Sequence, residues 1–279
     1  MKRVELRRIP IRADPFAGWG TKVRSILFAL FVVQFLFSWA RLWPGFPIWR
    51  DAHWPYGLLV VLTAATVLAS LSRQLPAQNV MLASCIIAFI AGAVESISAL
   101  SAIPFGPFLY TSNIGPQLFY PLPWAIPLLW LVAILTSRGI ARLILRPWRK
   151  TRNYGFWLMG VTTLLVVLFD FNLEPFATRV KQFWYWNPTK AGLDWYGAPW
   201  VNFFAWAMTT LLILAFATPT LINKKPVKQP PEYHSLTVWL LMNLLFATGC
   251  FIERLWPAAL ANFVLSVVTA IAAVRGARW

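Results

Sequence analysis

Eight apolar runs divide this chain, at about 24–43, 56–72, 78–100, 121–138, 154–172, 199–221, 235–253 and 258–274. Each is near the roughly 20 residues that an α-helix needs to cross hydrocarbon. In lipid every backbone polar group must be bonded internally, so such a chain can cross only as helices. The predicted fold is an all-α, polytopic membrane bundle of about eight helices. A basic tail over 1–22 precedes a single integral membrane domain over 23–279. Composition agrees, with 59% hydrophobic and 12% charged residues, where soluble domains carry about 25% charged. The first run ends in aromatics without a small-residue cleavage site, so it reads as a retained span and not a signal peptide.

A net charge of +16 would suggest nucleic acid for a soluble protein. Here the basic residues flank membrane spans, and no separate basic patch exists, so nucleic acid is not an expected partner. Arg41, Arg50, Arg179, Lys181, Lys190 and Arg254 fall on one side of the predicted topology, and the other 19 of the 25 Lys and Arg fall opposite. That bias predicts both termini in the cytoplasm and a multi-pass protein of the cell membrane, with the tail against anionic lipid. The weakest pair of spans is the last, because Trp256-Pro257 leaves only a short turn after Glu253. Cys85 and Cys250 sit alone in apolar spans and read as packing residues. His53 and His234 fall on opposite sides, which argues against a histidine metal centre.

The stretch from Glu95 to Trp130 is unusual. A carboxylate closes a long apolar run, an uncharged loop rich in Pro, Gly and aromatics follows over 102–120, and another apolar run begins. Glu95, Asp170 and Glu253 all fall near the outer ends of outward-running spans, and Glu174 and Asp194 lie in the long loop 173–198. Intramembrane carboxylates are costly to keep and usually serve a function. Glu253, beside Arg254, reads as a helix-end residue. Glu95 has no base nearby in sequence and reads as functional. Asp170 and Glu174 are four apart and would share a helix face, but Pro175 disfavours helix at Glu174, which makes Asp170 the stronger candidate.

A carboxyl group in an apolar site can act as a general acid. It could protonate an isoprenoid double bond, giving a tertiary cation that aromatic faces stabilise by about 0.5–2 kcal/mol each. Water capture yields an alcohol; capture by another alkene yields a ring. The outer loops carry Phe105, Phe108, Tyr110, Trp184, Tyr185, Trp186, Trp195, Tyr196 and Trp200, although an interfacial aromatic belt accounts for most such rings. Tyr110, Thr111, Ser112, Asn113, Tyr196 and Asn202 could orient water. No phosphate loop, dinucleotide fingerprint or Asp-rich diphosphate motif is present.

The set Glu95, Pro104-Phe105-Gly106-Pro107, Tyr110-Thr111, Pro121-Leu122-Pro123-Trp124-Ala125-Ile126-Pro127-Leu128 and Trp130 resembles the membrane carotenoid biosynthesis family that includes the carotenoid 1',2'-hydratases. The likeness continues through Asp170, Glu174-Pro175, Trp184-Tyr185-Trp186, Trp195-Tyr196-Gly197-Ala198-Pro199, Asn202-Phe203 and Trp206. It covers about residues 90–210. It implies cofactor-independent addition of water across the terminal 1',2' double bond of an acyclic carotenoid such as lycopene, γ-carotene or bisanhydrobacterioruberin. A carotenoid cyclase using the same protonation, or a non-catalytic pigment-binding subunit, is the alternative. The expected partners are a lipid-soluble carotenoid or isoprenoid substrate, membrane lipids and other enzymes of the pathway. On this reading Glu95 donates the proton, Asp170 positions or deprotonates water, and Phe105, Tyr110, Glu174, Trp186, Trp195, Tyr196 and Asn202 position substrate or water. Ser98, Ser101 and Ala102 stand where the family pattern leads one to expect glycine, Ala205 stands before the later Trp where Gly is expected, and Trp195 stands where Tyr is usual.

Overall fold

The eight apolar runs form eight helices long and apolar enough to span a membrane. The computed structural model describes residues 17–46, 52, 54–187, 194–222 and 230–279. The basic tail through residue 16, loop residues 47–51, His53, Lys190 and the lysines at 224, 225 and 228 lie outside the described residues. The helices are α1 (Ala17–Ala40), α2 (Trp54–Leu71), α3 (Ala77–Ser101), α4 (Ala125–Ile144), α5 (Tyr154–Pro175), α6 (Trp200–Ala217), α7 (His234–Ile252) and α8 (Trp256–Ala277). The short turn expected before α8 is present, with Arg254 at φ 59° between Glu253 and Leu255. Glu253 is exposed there, whereas Glu95, Asp170 and Glu174 are buried.

Helix α4 is the hub. Over its most apolar 18 residues 83% are buried, against 22% for α1 and α8. It packs against α2, α3, α5, α7 and α8, while α6 closes against α3 and α5. Since lipid is as apolar as Leu, close backbone approach and not hydrophobicity must hold such helices together. Glycine supplies it. Gly276 of α8 lies against the carbonyls of Leu143 and Ile144, Gly139 of α4 against Ser235 of α7, and Gly249 of α7 against the Phe176 ring.

Helix α4 runs six residues further than the sequence suggests. Arg138, expected to open a basic loop, is instead a buried helical residue. No proline lies between Arg138 and Pro147, and Nη2 of the buried guanidinium donates to the Leu221 carbonyl at 2.8 Å.

At the opposite end from Arg73 and Glu232, whose side chains approach at 3.9 Å, the connecting segments fold into a roof. Its strands are β1 (Phe108–Tyr110), β2 (Gln117–Phe119), β3 (Leu122–Pro123), β4 (Trp184–Trp186), β5 (Asp194–Trp195) and β6 (Ala198–Pro199). β1 pairs antiparallel with β4, with Phe108 opposite Trp186 and Tyr110 opposite Trp184. This joins the loop after α3 to the loop after α5. Thr111 and Asn113, candidate water-orienting residues, tie this seam: Thr111 N donates to Phe183 O at 2.9 Å and Asn113 Nδ2 to Lys181 O at 3.2 Å. β5 and β6 form a hairpin whose two turn residues, Tyr196 (φ 56°) and Gly197 (φ 99°), both have positive φ, as a type I′ turn requires. Asp194 Oδ1 accepts the Gly197 N–H at 2.8 Å and fixes that turn.

Candidate active site

Three carboxyl side chains meet beneath the roof. Glu95 lies near the end of α3 and is 6% exposed. Its Oε2 accepts the Tyr110 hydroxyl and its Oε1 the Trp130 indole N–H, each at 2.7 Å. Trp130 is fully buried and stacks on Trp206 of α6, with centroids 3.7 Å apart and planes 12° apart. Phe105 packs on both rings, and its backbone N–H is held by Ser98 Oγ at 3.1 Å. The roof begins where Ala102 ends α3 in the left-handed region, at φ 62°.

Asp170 and Glu174 sit one turn apart on α5, both buried. Asn202, in the first turn of α6, bridges them: Nδ2 is 2.9 Å from Asp170 Oδ2 and 3.3 Å from Glu174 Oε1. Glu174 Oε2 also accepts the indole N–H groups of Trp184 (3.2 Å) and Trp186 (3.0 Å) from β4. Among the described residues no Lys or Arg pairs with any of the three acids. Every donor to them is neutral, so the site can hold a carboxyl in either protonation state without a fixed counter-charge.

Pro175 does not end the helix at Glu174, contrary to the sequence expectation. Proline removes an N–H and crowds the carbonyl four residues back, here that of Phe171. The freed carbonyl accepts the Trp195 indole N–H at 2.9 Å instead, and the Trp195 ring stacks on Phe171 at 4.4 Å. Beyond Pro175 the chain widens into one π-helical turn, Phe176–Val180, with Lys181 N bonded to Phe176 O. Such a π turn absorbs a disrupted helical ladder.

Glu95, Phe105, Tyr110, Glu174, Trp186 and Asn202 line one cavity, together with Phe108, Trp130, Trp184 and Trp206; it holds about 350 Å³ of atom-free space, its mouth included. Asp170 is not on its wall and touches it only through Asn202. Trp195 and Tyr196 are not on it either. Trp195 serves the Phe171 carbonyl, and Tyr196 occupies the hairpin turn, its carbonyl 3.5 Å from Thr178 Oγ1. Trp130 and Trp206 carry more of the site than their sequence signal suggests. That signal was available: both lie well inside their helices, below the depth at which an interfacial belt accounts for tryptophan.

Tyr110 lies outside the spans. Burial, and then the nearby Glu95 and Glu174, raise its hydroxyl well above the ordinary tyrosine range. It remains a phenol, able to donate to a carboxylate or accept from a carboxylic acid.

The carotenoid biosynthesis protein family matches residues 56–269. The bisanhydrobacterioruberin hydratase of Haloarcula japonica is 25% identical over 124 residues, 44% of this chain and 40% of that protein. The matched stretch therefore spans less than half of that relative. No solved structure matches. The family match runs from α2 into α8 and takes in every residue of the cavity, and the chain belongs to the carotenoid biosynthesis protein family.

Proposed function

We propose that this chain is a carotenoid 1',2'-hydratase of the cell membrane, its basic side toward the cytoplasm, adding water to the terminal double bond of an acyclic carotenoid. The observation that carries this reading is the pairing of two carboxyl groups, Glu95 and Glu174, on one aromatic-walled cavity with only neutral donors. Water addition needs an acid and a base at one alkene, and nothing in the step calls for a redox group.

Glu95 accepts two donors, one of them a hydroxyl that can reverse; Glu174 accepts three N–H groups that cannot. Glu95 is thus suited to enter as the acid and Glu174 as the carboxylate. Glu95 gives its proton to C2' of the alkene, and the π electrons form the new C–H bond. A tertiary cation is left at C1', facing Phe105, Trp130 and Trp186. Water forms the C1'–O bond, and its surplus proton passes to Glu174. The proton then returns to Glu95 through water in the cavity, so the sum is alkene plus water. Asn202 holds Glu174 in place, and Asp170 holds Asn202.

The test is pigment analysis in a lycopene-producing bacterial host. The wild-type chain should give a pigment heavier by one or two waters, and Glu95→Gln and Glu174→Gln should abolish it while remaining in the membrane. A product of unchanged mass would assign cyclisation instead. Bound pigment with no conversion would assign a carrier.

A further inference from the structure

A second cavity lies directly behind the first. It sits between α2, α4, α5 and α7, with about 550 Å³ of atom-free space, its mouth included. Leu59, Ala125, Leu173, Met242 and Leu245 are among its walls, and among the described residues no Asp, Glu, Lys or Arg lines it. Its polar groups are engaged elsewhere: the Tyr56 hydroxyl reaches the Ser38 carbonyl at 3.5 Å, and the Asn113 amide bonds Lys181 O.

Among the described residues, only Leu129 and Trp184 line both cavities. Trp184 turns its N–H toward Glu174 on one side and gives its ring to the apolar chamber on the other. Leu129 precedes Trp130, whose N–H reaches Glu95. The partition is therefore one side chain thick and built from residues adjacent to the acids.

We propose that the apolar chamber holds the hydrocarbon chain of an isoprenoid whose terminal unit lies between Glu95 and Glu174, an inference that rests on the reading above for the nature of the ligand. The two chambers divide the recognition. The carboxyl-lined cavity takes the reacting end group and supplies its protons. The larger chamber takes a long, uncharged chain that needs nothing from its walls but apolar contact, and its lining is almost wholly apolar. A polyene crossing the partition would displace the Leu129 side chain and lie against the Trp184 ring.

The test uses the purified full chain in detergent, titrated with an acyclic C40 polyene. Binding is read as induced circular dichroism in the polyene's visible band, which appears when the chromophore is held in a chiral site. Wild type and Glu95→Gln should both give the signal. Ala125→Leu and Leu245→Trp fill the chamber without touching the acids; each should weaken binding at least tenfold, with thermal midpoints near wild type. In a conversion assay the same two variants should lose the C40 substrate but retain a C10 to C15 hydrocarbon bearing the same end group. Unchanged C40 binding in the filled variants, equal loss of short and long substrates, or no polyene signal from wild type would each overturn the proposal. Binding that the filled variants lose, without conversion of any substrate by wild type, would sustain the chamber and refute the hydratase reading.

Discussion

The indole N–H of Trp195 bonds the carbonyl of Phe171 at 2.9 Å, the acceptor that Pro175 leaves without its helical donor. A residue in a surface hairpin thereby holds the helical turn that aims Asp170 and Glu174. Trp195→Phe keeps the stack on Phe171 and deletes only the donor. We expect a loss of about 1–2 kcal/mol, near the value of a hydrogen bond whose partner stays buried, read as a lower thermal midpoint in detergent. Trp195→Leu, which also removes the stack, should lose more. Trp195→Phe matching wild type would show that water serves the carbonyl equally well.

Graded effects are expected among the acids and their donors. On the proposed hydratase reading, Glu174→Gln should lower the initial rate of hydration by at least about 10²-fold, the usual scale for an acid–base group. Asp170→Asn acts through Asn202 and should cost about tenfold or less. Trp130→Phe preserves most of the stack with Trp206 but strips one donor from Glu95, and should weaken the rate by an intermediate amount. Asp170→Asn proving as severe as Glu174→Gln would overturn a merely indirect role for Asp170. Rates normalised to folded protein decide this.

Two glycines separate packing from propensity. Gly276 has no room for a Cβ, because the α4 carbonyls of Leu143 and Ile144 face it. Gly160 in α5 has nothing within 4 Å of that position. Gly276→Ala should destabilise by about 1–3 kcal/mol through overpacking, whereas Gly160→Ala should stabilise by roughly 0.5–1 kcal/mol. Opposite shifts in the thermal midpoint are the expected result.

Ala102 holds φ 62° at the end of α3, a conformation that costs a non-glycine residue about 1–2 kcal/mol. Its N–H closes on Ser98 O at 2.7 Å, the last bond of the helix before the chain turns into the roof. Ala102→Gly should stabilise by about 0.5–1 kcal/mol, since glycine's added freedom in the unfolded chain offsets part of the relief. An unchanged or lower melting point would argue against strain at this cap.

Lys181 follows the π-helical turn, its Nζ 4.7 Å from the Tyr56 ring centroid. Burial, and then Arg41, lower its ammonium to about 8, against about 10.4 for an ordinary lysine. The unfolded chain therefore binds the proton more tightly. Charged Lys181 opposes folding most below about pH 8, and that penalty fades as pH rises toward about 10.4. Stability should rise with pH in this window, and Lys181→Met should flatten the rise. Acylation of the amine, followed by mass spectrometry, should show a midpoint near 8.

The eight spans were legible because an apolar run of about 20 residues has almost no alternative in lipid. Glu95 stands out in the sequence for a different reason: an acid near the end of an apolar run is costly to keep, and no base stands near it in the chain. Glu174 was underrated, because Pro175 reads locally as a helix stop while its remedy, the Trp195 indole, lies 24 residues from Phe171. Arg138 was misplaced into a loop because its partner, Leu221 O, is 83 residues away. The pairing of β1 with β4 was equally hidden, since three-residue strands carry no period to detect. What composition and local pattern miss here is long-range satisfaction of polar groups. That is also what assembles the site, and the glycine expected at Ala102 points to a conformation the backbone does adopt.

All the donors to the three acids lie C-terminal to the acid they serve: Tyr110 and Trp130 for Glu95, Asn202 for Asp170, and Trp184, Trp186 and Asn202 for Glu174. During synthesis each carboxyl group therefore leaves the ribosome before the donors that serve it. Glu95 lies in the last two turns of α3, and Asp170 and Glu174 in the last two of α5. A nascent chain halted before Asn202 already holds both donors to Glu95 and two of those to Glu174, and Asp170 alone of the three still lacks the donor described for it.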